Sequence, residues 1–385
     1  MNGSGDSKTV AVAMSGGVDS SVATVLLSEA GYRVIGLTMR LWDPPSSEQN
    51  IGTVHGCCST DSVVRAQHVC AKLSIPHYVI DLRRDFRRSV VDDFVSEYLQ
   101  GRTPNPCIQC NAIIKWRSLW RKAQELGAEY FATGHYARIS QDNGEWKMLR
   151  AQYREKDQSY ALWGIPREQL ATTLLPLGEK TKREVRRIAR HLGLATAEVP
   201  ESQDVCFLYG ENYTDFLRHY RADGNHVVDQ GEIVNEQGEV LGTHSGFAGY
   251  TVGQRRGLGV SARHPLYVLR TEPDTNRVVV GPVSSLEVKG LRAVKPNWVS
   301  IDPPVKPLDA TIQVRYRDRG VPGTVIPEGD TVLVRFADNH RGIAPGQSAV
   351  FYRDDCLLGG AIIASAVAGE NREVELQDTT LAEET

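Results

Sequence analysis

The first third of the chain alternates between two hydrophobic rhythms. Compact apolar runs at 9–14, 33–39, 77–82 and 130–134 read as strands. Between them, at 18–30, 61–73, 85–99 and 112–126, apolar residues recur three or four positions apart, as on one face of a helix. This alternation predicts an α/β domain, a parallel sheet with helices on both faces. Ligands of such sheets sit beyond the carboxyl ends of the strands. Residues 14–20, Met39 and Gly134-His135 all fall at such ends, so one pocket is expected to contain them.

Further on, a helical stretch runs from Arg167 through Leu194. After about His219 the rhythm shortens. Val227 to Val260 reads as short strands parted by Gly231, Gly238, Gly242 and Gly253. From Leu291 to Ala366, evenly spaced runs at 309–316, 331–336, 348–353 and 358–364 predict a small barrel or sandwich. Pro322-Gly323, Pro327-Glu328-Gly329 and Pro345-Gly346 read as the breaks between them. The expected organisation is an α/β domain over 1–218, a small mostly-β central domain over 219–290, a C-terminal β-barrel over 291–368, and an acidic tail over 369–385 that reads as disordered.

Composition narrows the class. With 385 residues, the chain is too long for one typical core. No run approaches the ~18 apolar residues of a membrane span. The polar start, Met1 to Lys8, lacks the apolar core of a signal peptide. A cytoplasmic protein with no membrane partner is expected. Without a secretory signal, the seven cysteines read as free, metal-bound or catalytic rather than as a disulfide framework. A net charge of −3 argues against indiscriminate polyanion binding and leaves room for a local basic face. Arg83, Arg84, Arg87 and Arg88 form one candidate for phosphates, or a solvated helix face.

The run Ser15-Gly16-Gly17-Val18-Asp19-Ser20-Ser21 joins the first predicted strand to the first helix. Paired glycines let backbone approach a ligand closely. The N–H groups and dipole of a helix start favour an anion there. There is no Gly-Lys-Ser/Thr, so this is not a Walker A loop. The string resembles the pyrophosphate-binding loop of the ATP pyrophosphatases, enzymes that split ATP between the α and β phosphates and adenylate a carbonyl oxygen.

A second cluster is Thr103-Pro104-Asn105-Pro106-Cys107-Ile108-Gln109-Cys110-Asn111. With a helix expected from residue 112, Cys110 falls at a helix N-terminus, where the dipole favours thiolate, and Lys115 lies one turn on. Cys110 is thus a candidate nucleophile. Half of a structural zinc site is the alternative, but no second Cys-x-x-Cys supplies the remaining ligands, although Cys57-Cys58 has His55 nearby. Cys206 follows a polar segment, Pro200 to Val205, and reads equally as a reactive or a packing residue. Cys70 and Cys356 read as packing residues.

These motifs, together with Ser202-Gln203-Asp204-Val205-Cys206, Lys156-Asp157-Gln158-Ser159-Tyr160 and Val252-Gly253-Gln254-Arg255-Arg256-Gly257-Leu258-Gly259, closely resemble the tRNA-specific 2-thiouridylases, in order from about Val10 to Ala366. The resemblance implies a Rossmann-like adenine nucleotide alpha hydrolase domain at the N-terminus. It implies ATP-dependent thiolation of the wobble uridine of tRNAs for lysine, glutamate and glutamine. ATP, with Mg²⁺ on its phosphates near Asp19, would lie against Ala13, Met14, Ser15, Gly16, Gly17, Val18, Asp19 and Ser20, with Met39 and Gly134 walling the adenine. Cys206 would carry sulfur as a persulfide, supplied by a cysteine desulfurase or a persulfide relay protein, and Cys110 would be the second active thiol. Asn105, Pro106 and Cys107 would line the extruded base. Lys156, Asp157, Gln158, Arg315 and Tyr316 match tRNA-contacting positions. The two thiols must meet in turnover, so Val199–Leu208 is expected to rearrange when tRNA binds.

The chain departs from the family at Cys107, where many members have Asp proposed as an acid/base. A thiol titrates far higher than a carboxyl and replaces it poorly. Cys107, Cys110 and Cys206 are instead three thiols that could ligate a [4Fe–4S] cluster. Two other classes remain at this point: an RNA-binding module with a degenerate nucleotide site, and an ATP pyrophosphatase acting on a small metabolite.

Overall fold

The computed structural model describes residues 7–43, 60–201, 205–220 and 229–367. The acidic tail, Cys57, Cys58 and His55, and Ser202 to Asp204 lie outside the described residues. The first sheet is parallel and five-stranded. Its strands are β1 (Thr9–Ala13), β2 (Arg33–Arg40), β3 (His77–Asp81), β4 (Tyr130–Ala132) and, later in the chain, β7 (Thr173–Leu174). The order is β3-β2-β1-β4-β7. The chain steps outward in one direction through β2 and β3 and in the other through β4 and β7. The order therefore reverses at β1/β4, where a parallel sheet opens a crevice beyond its carboxyl ends. Val10, Ala11 and Val12 of β1 are fully buried, as a central strand covered on both faces requires.

Helix α1 (Val18–Glu29) follows β1, and α2 (Thr60–Lys72) precedes β3. Helix α3 spans 83–99 without a break and α4 spans 106–125, each with an internal wide-turn segment. The second begins six residues earlier than its apolar periodicity predicts. Pro106 occupies its first turn, where a missing N–H costs nothing. Helix α5 (Lys182–His191) starts in a capping box. Thr181 Oγ1 accepts from Glu184 N at 3.2 Å, and Glu184 Oε2 accepts from Thr181 N at 2.7 Å. The rest of the stretch expected to be helical from Arg167 forms a six-residue 3₁₀ helix (Arg167–Thr172), β7 and loop before α5. Helix α6 (Tyr213–Tyr220) closes the α/β part among the described residues.

The remaining strands form two β units. The central one orders β10 (Tyr267–Glu272), β11 (Arg277–Gly281), β8 (Gly231–Val234) and β9 (Val240–His244) in one sheet. The C-terminal one comprises β12 (Glu287–Trp298), β13 (Leu308–Gln313), β14 (Val321–Glu328), β15 (Thr331–Arg341), β16 (Ser348–Arg353) and β17 (Cys356–Val367). Pairing of β12 with β17 closes these six strands into an antiparallel barrel. A barrel, rather than the alternative sandwich, is therefore the outcome.

Two readings of the C-terminal pattern change. Pro322 and Pro327 lie inside β14 rather than between strands. Pro322 pairs only with β13 and Pro327 only with β15, so each sits where the strand has a neighbour on one side alone and a missing N–H is tolerated. Arg315-Tyr316-Arg317 is a turn after β13, not strand. Gln313 Nε2 holds it by donating to the carbonyls of Arg315 and Tyr316 at 3.1 and 3.0 Å.

One element escaped the periodicity. β5 (Ala137–Asp142) and β6 (Glu145–Arg150) form a hairpin within the α/β part, and β6 pairs with β17 of the barrel. Its Asn143-Gly144 turn, with φ of +50° and +83°, was the legible signal. The hairpin fixes the barrel to the α/β domain. Phe351 is fully buried in the barrel and stacks on Trp298 at 5.6 Å. Phe351→Ala is expected to cost about 3–5 kcal/mol, read as a lower urea midpoint for the barrel's unfolding.

Candidate functional site

The loop after β1 is shaped by contacts only glycine permits. Gly16 has φ +67°, and a Cβ there would lie 2.2 Å from the Ser62 carbonyl oxygen. Arg65 Nε donates to the Gly16 carbonyl at 3.0 Å. Gly134, at the carboxyl end of β4, packs on the same loop. A Cβ on it would stand 2.7 Å from the backbone of Asp19 and Ser20. Ser20 Oγ accepts from Ser15 N and donates to the Gly17 carbonyl, both at 3.2 Å, which tightens the turn. Gly17 caps α1 without a side-chain hydrogen bond, so no side chain competes for the helix start. Ala13, Met14, Val18, Ser20 and Met39 are buried at the sheet's carboxyl edge, while Ser15, Gly17, Asp19 and Gly134 are half-buried.

Asp19 is the first member of a chain of charges. Both of its carboxylate oxygens accept from Lys182 Nζ at 2.8 Å, and Oδ1 also accepts from the Tyr136 hydroxyl at 2.8 Å. Lys182 also pairs with Glu201 Oε1 at 2.9 Å, and Glu201 Oε2 accepts from Lys156 Nζ at 2.7 Å. Burial alone would raise the Glu201 carboxyl, but hydrogen bonds from Lys156 and Lys182 outweigh it and hold the pKa down to about 2. Burial and the Asp19 carboxylate push the Tyr136 hydroxyl far above the usual tyrosine range, so it stays a donor. Burial, then the Lys115 charge, pushes His135 well below its usual value, so its ring is neutral.

Lys182, Glu201 and Tyr136 were not singled out from the sequence. Lys182 did leave a signal there. It occupies the first turn of α5, at the positive end of the dipole, where a cation is disfavoured unless something else holds it.

The cysteine segment sits where three units meet. Thr103 N donates to the Pro345 carbonyl at 2.8 Å, and Gln347 Nε2 donates to the Thr103 carbonyl at 2.8 Å, both from the barrel. Thr103 Oγ1 donates to Thr251 Oγ1 of the central unit at 3.4 Å. Because α4 starts at Pro106, Cys107 lies in its first turn and Cys110 one turn inside it. The dipole therefore acts more on Cys107 than on the Cys110 first expected to feel it. Lys115 donates to Asn111 Oδ1 at 2.8 Å and sends its charge toward His135. Asn105 and Cys110 are half-buried, Pro106 is buried and Cys107 is exposed.

Tyr316, on the barrel turn, packs edge-on against Tyr160 at 6.1 Å. It is 47% exposed, yet its hydroxyl titrates above the usual range, raised by local burial, then by Asp157, and also by Glu201 and Cys107. Cys206 is half-buried. The described residues on either side of it are held by contacts. Arg186 donates to the Val199 carbonyl at 3.2 Å, Glu201 binds its two lysines, and Phe207 is buried among Phe86, Phe94 and Phe216 at 5.8, 5.2 and 5.3 Å.

Asp157 and Gln158 face inward. The Asp157 side chain is 7% exposed and accepts from Ala151 N at 2.8 Å, Ser159 Oγ at 2.8 Å and Arg150 Nη1 at 3.3 Å. Gln158 Oε1 accepts from Tyr136 N at 3.0 Å. Arg83 is committed to Asp81 and Asp43, and Arg87 to Tyr220. That leaves Arg84 and Arg88 as the exposed half of the basic cluster with no ion pair among the described residues.

Among the described residues, no three His, Cys, Asp or Glu side chains converge as a metal-holding group, Cys107, Cys110 and Cys206 included. The residues therefore do not fit a three-cysteine cluster in this conformation. An Asp19-held Mg²⁺ would have to displace the Lys182 ammonium. Cys70 is buried, and that burial pushes its thiol up to about 11. Burial also raises Cys356, so both fit the packing reading.

Comparison with known proteins bears on the whole chain. Residues 8–210 match the family described as tRNA methyl transferase HUP domain, residues 214–282 its PRC-barrel domain, and residues 288–363 an aminomethyltransferase beta-barrel domain. The chain is 45% identical over 360 residues to the tRNA-specific 2-thiouridylase MnmA of Pelotomaculum thermopropionicum, covering 92% of this chain and 97% of the relative. It is 46% identical over 363 residues to the protein of the same name from Geobacter metallireducens, covering 94% and 98%. The chain belongs to the tRNA-specific 2-thiouridylase family. Among the described residues no helix is long and apolar enough to cross a membrane.

The lowered pKa of Glu201 gives a pH prediction with a definite sign. The folded value, about 2, lies below the ordinary 4.5, so the carboxylate's contribution is fully present above about pH 4.5 and is lost as pH falls toward 2. Glu201→Gln removes that part of the acid dependence. Unfolding free energy measured against pH for both proteins should therefore converge toward pH 2 and separate above pH 5. Parallel curves would exclude the network as its source.

Proposed function

We propose that this chain thiolates the 2-position of the wobble uridine in tRNAs for lysine, glutamate and glutamine, using ATP. The uracil 2-carbonyl is a poor electrophile and its oxygen a poor leaving group. Adenylation by ATP remedies both, releasing pyrophosphate first and AMP at the sulfur step. The observation that carries this reading is the convergence on one crevice. The glycine loop lies beyond β1, Gly134 packs on it, and Lys182 links Asp19 of the loop to Glu201 of the Cys206 segment, which in turn holds Lys156.

In this reading the triphosphate lies along Ala13 to Ser20, against the open start of α1. Met39 and Gly134 wall the adenine. Mg²⁺ accompanies the nucleotide in the family's chemistry, and no step is assigned to a metal held by the chain. The extruded base enters beside Asn105, Pro106 and Cys107, with Tyr316 offering a stacking face and Arg315 a charge. Lys156 and Lys182 are cations that RNA or nucleotide phosphates would draw away from Glu201. Asp157 and Gln158 act from inside, by holding Ala151, Ser159 and Tyr136.

Sulfur arrives on Cys206 as a persulfide, from a cysteine desulfurase or a persulfide relay protein. The Cys110 thiolate attacks Cys206 Sγ. A Cys110–Cys206 disulfide forms and hydrosulfide leaves to attack the adenylated C2. Two external thiol equivalents then reduce the disulfide and leave as a disulfide of their own. Bridging requires a Cα separation under about 7 Å. The movement this asks of 199–208 falls before Phe207, whose ring is fixed in the aromatic cluster.

Cys110→Ser and Cys206→Ser should each abolish thiolation while tRNA-dependent formation of AMP and pyrophosphate persists. The assay measures thiouridine and AMP in the same reaction. ATP turnover that ignores tRNA would favour a small-metabolite substrate, and absence of turnover would favour a plain RNA-binding module. Anaerobic purification is expected to give a colourless, iron-free enzyme active with a persulfide donor. A brown protein with about four irons, active only while the cluster is intact, would withdraw the persulfide assignment.

A further inference from the structure

One motif of the central unit has no part in the chemistry above: Gly253-Gln254-Arg255-Arg256-Gly257-Leu258-Gly259, continued by Arg263-His264. We propose that this turn is a phosphodiester-binding site that grips the tRNA backbone outside the reacting nucleotide. The proposal rests on tRNA being the substrate.

The turn is built rather than slack. Gly257 and Gly259 have φ of +77° and +68°, a region that side chains rarely enter. Gln254 staples it from within. Its Oε1 accepts from Thr251 N at 3.1 Å, and its Nε2 donates to the Arg256 carbonyl at 3.0 Å. Gly253 N donates to the Val268 carbonyl at 2.8 Å, which ties the turn to β10. Leu258 is 6% exposed and anchors it in the core.

The charges are left outside. Arg255, Arg256, Arg263 and His264 are all exposed. Arg255, Arg263 and His264 line a cleft of about 430 Å³ whose wall contains no carboxylate. None of the three arginines is ion-paired among the described residues. Elsewhere the chain pairs its arginines readily, as at Arg270–Glu272, Arg277–Glu232 and Arg292–Glu328. A preformed turn that withholds several guanidinium groups from internal carboxylates is suited to an external polyanion, and planar guanidinium groups match phosphate oxygens.

Its location selects RNA backbone. Thr251, at the foot of the turn, lies 3.4 Å from Thr103 of the cysteine segment. A Cβ on Gly253 would be 3.6 Å from Gly342, and one on Gly342 would be 2.8 Å from Arg315 Nη2. The turn therefore continues the surface from Arg315, so an RNA with its base beside Cys107 runs its backbone along one basic edge.

The test uses the full-length protein and unmodified substrate tRNA. Binding is measured over a range of KCl concentrations for wild type and for Arg255→Gln/Arg256→Gln/Arg263→Gln. The variant is expected to bind at least ~10-fold more weakly, with a log–log salt slope shallower by about one for each phosphate it no longer neutralises. Its KM for tRNA should rise with kcat unchanged, and the corresponding triple Lys variant should recover most of the salt slope. Equal affinity and slope in wild type and variant would overturn the proposal. So would unchanged tRNA binding with loss of thiolation only when sulfur comes from a protein donor, because the turn would then serve that donor. Failure of the wild type itself to bind tRNA would overturn the substrate reading instead.

Discussion

The arrangement of this protein turns on one carboxylate. Asp19 leaves the glycine loop in the first turn of α1 and is held by Lys182 and Tyr136. Through Lys182 the same charge reaches Glu201, and through Glu201 it reaches Lys156. Four alternating charges thus tie the nucleotide loop, the start of α5, the Cys206 segment and the segment after the β5–β6 hairpin. A half-buried row of this kind is stable only while each charge keeps its partner, since an uncompensated charge in a poorly solvated site is costly. It is also exchangeable, because an incoming phosphate offers the lysines what Glu201 offers them.

The barrel contributes to the site through interior contacts. Arg150 lies over the Tyr352 ring at 3.4 Å and donates to Gln313 Oε1 at 3.0 Å and to Asp157. Gln313 in turn fixes the carbonyls of Arg315 and Tyr316. The exposed Tyr316 is therefore positioned by the same buried group that holds Asp157. Gln158, next in sequence, holds the backbone of Tyr136, which donates to Asp19. A continuous set of hydrogen bonds runs from the barrel turn to the nucleotide loop, and the apparently exposed Lys-Asp-Gln motif is its middle.

The sequence by itself determined the parallel sheet, because fully buried strands and amphipathic helices carry different hydrophobic periods. It also located the glycine loop and the paired cysteines, because tight turns and thiol chemistry demand particular residue types at short spacing. The Asn143-Gly144 hairpin was legible too, but only as a turn. That its second strand would pair with β17, more than two hundred residues away, is a matter of long-range register. Only the tertiary structure decided that Asp157 points inward, that Arg83 and Arg87 are committed to neighbours, and that Cys107 rather than Cys110 takes the first turn of α4. The physical reason is the same in each case. A polar residue's role depends on which distant groups share its surroundings, and local periodicity carries no information about them. Lys182 lies between the two regimes: its misfit at a helix start is written in the sequence, while the two carboxylates that account for it are brought to it by the fold.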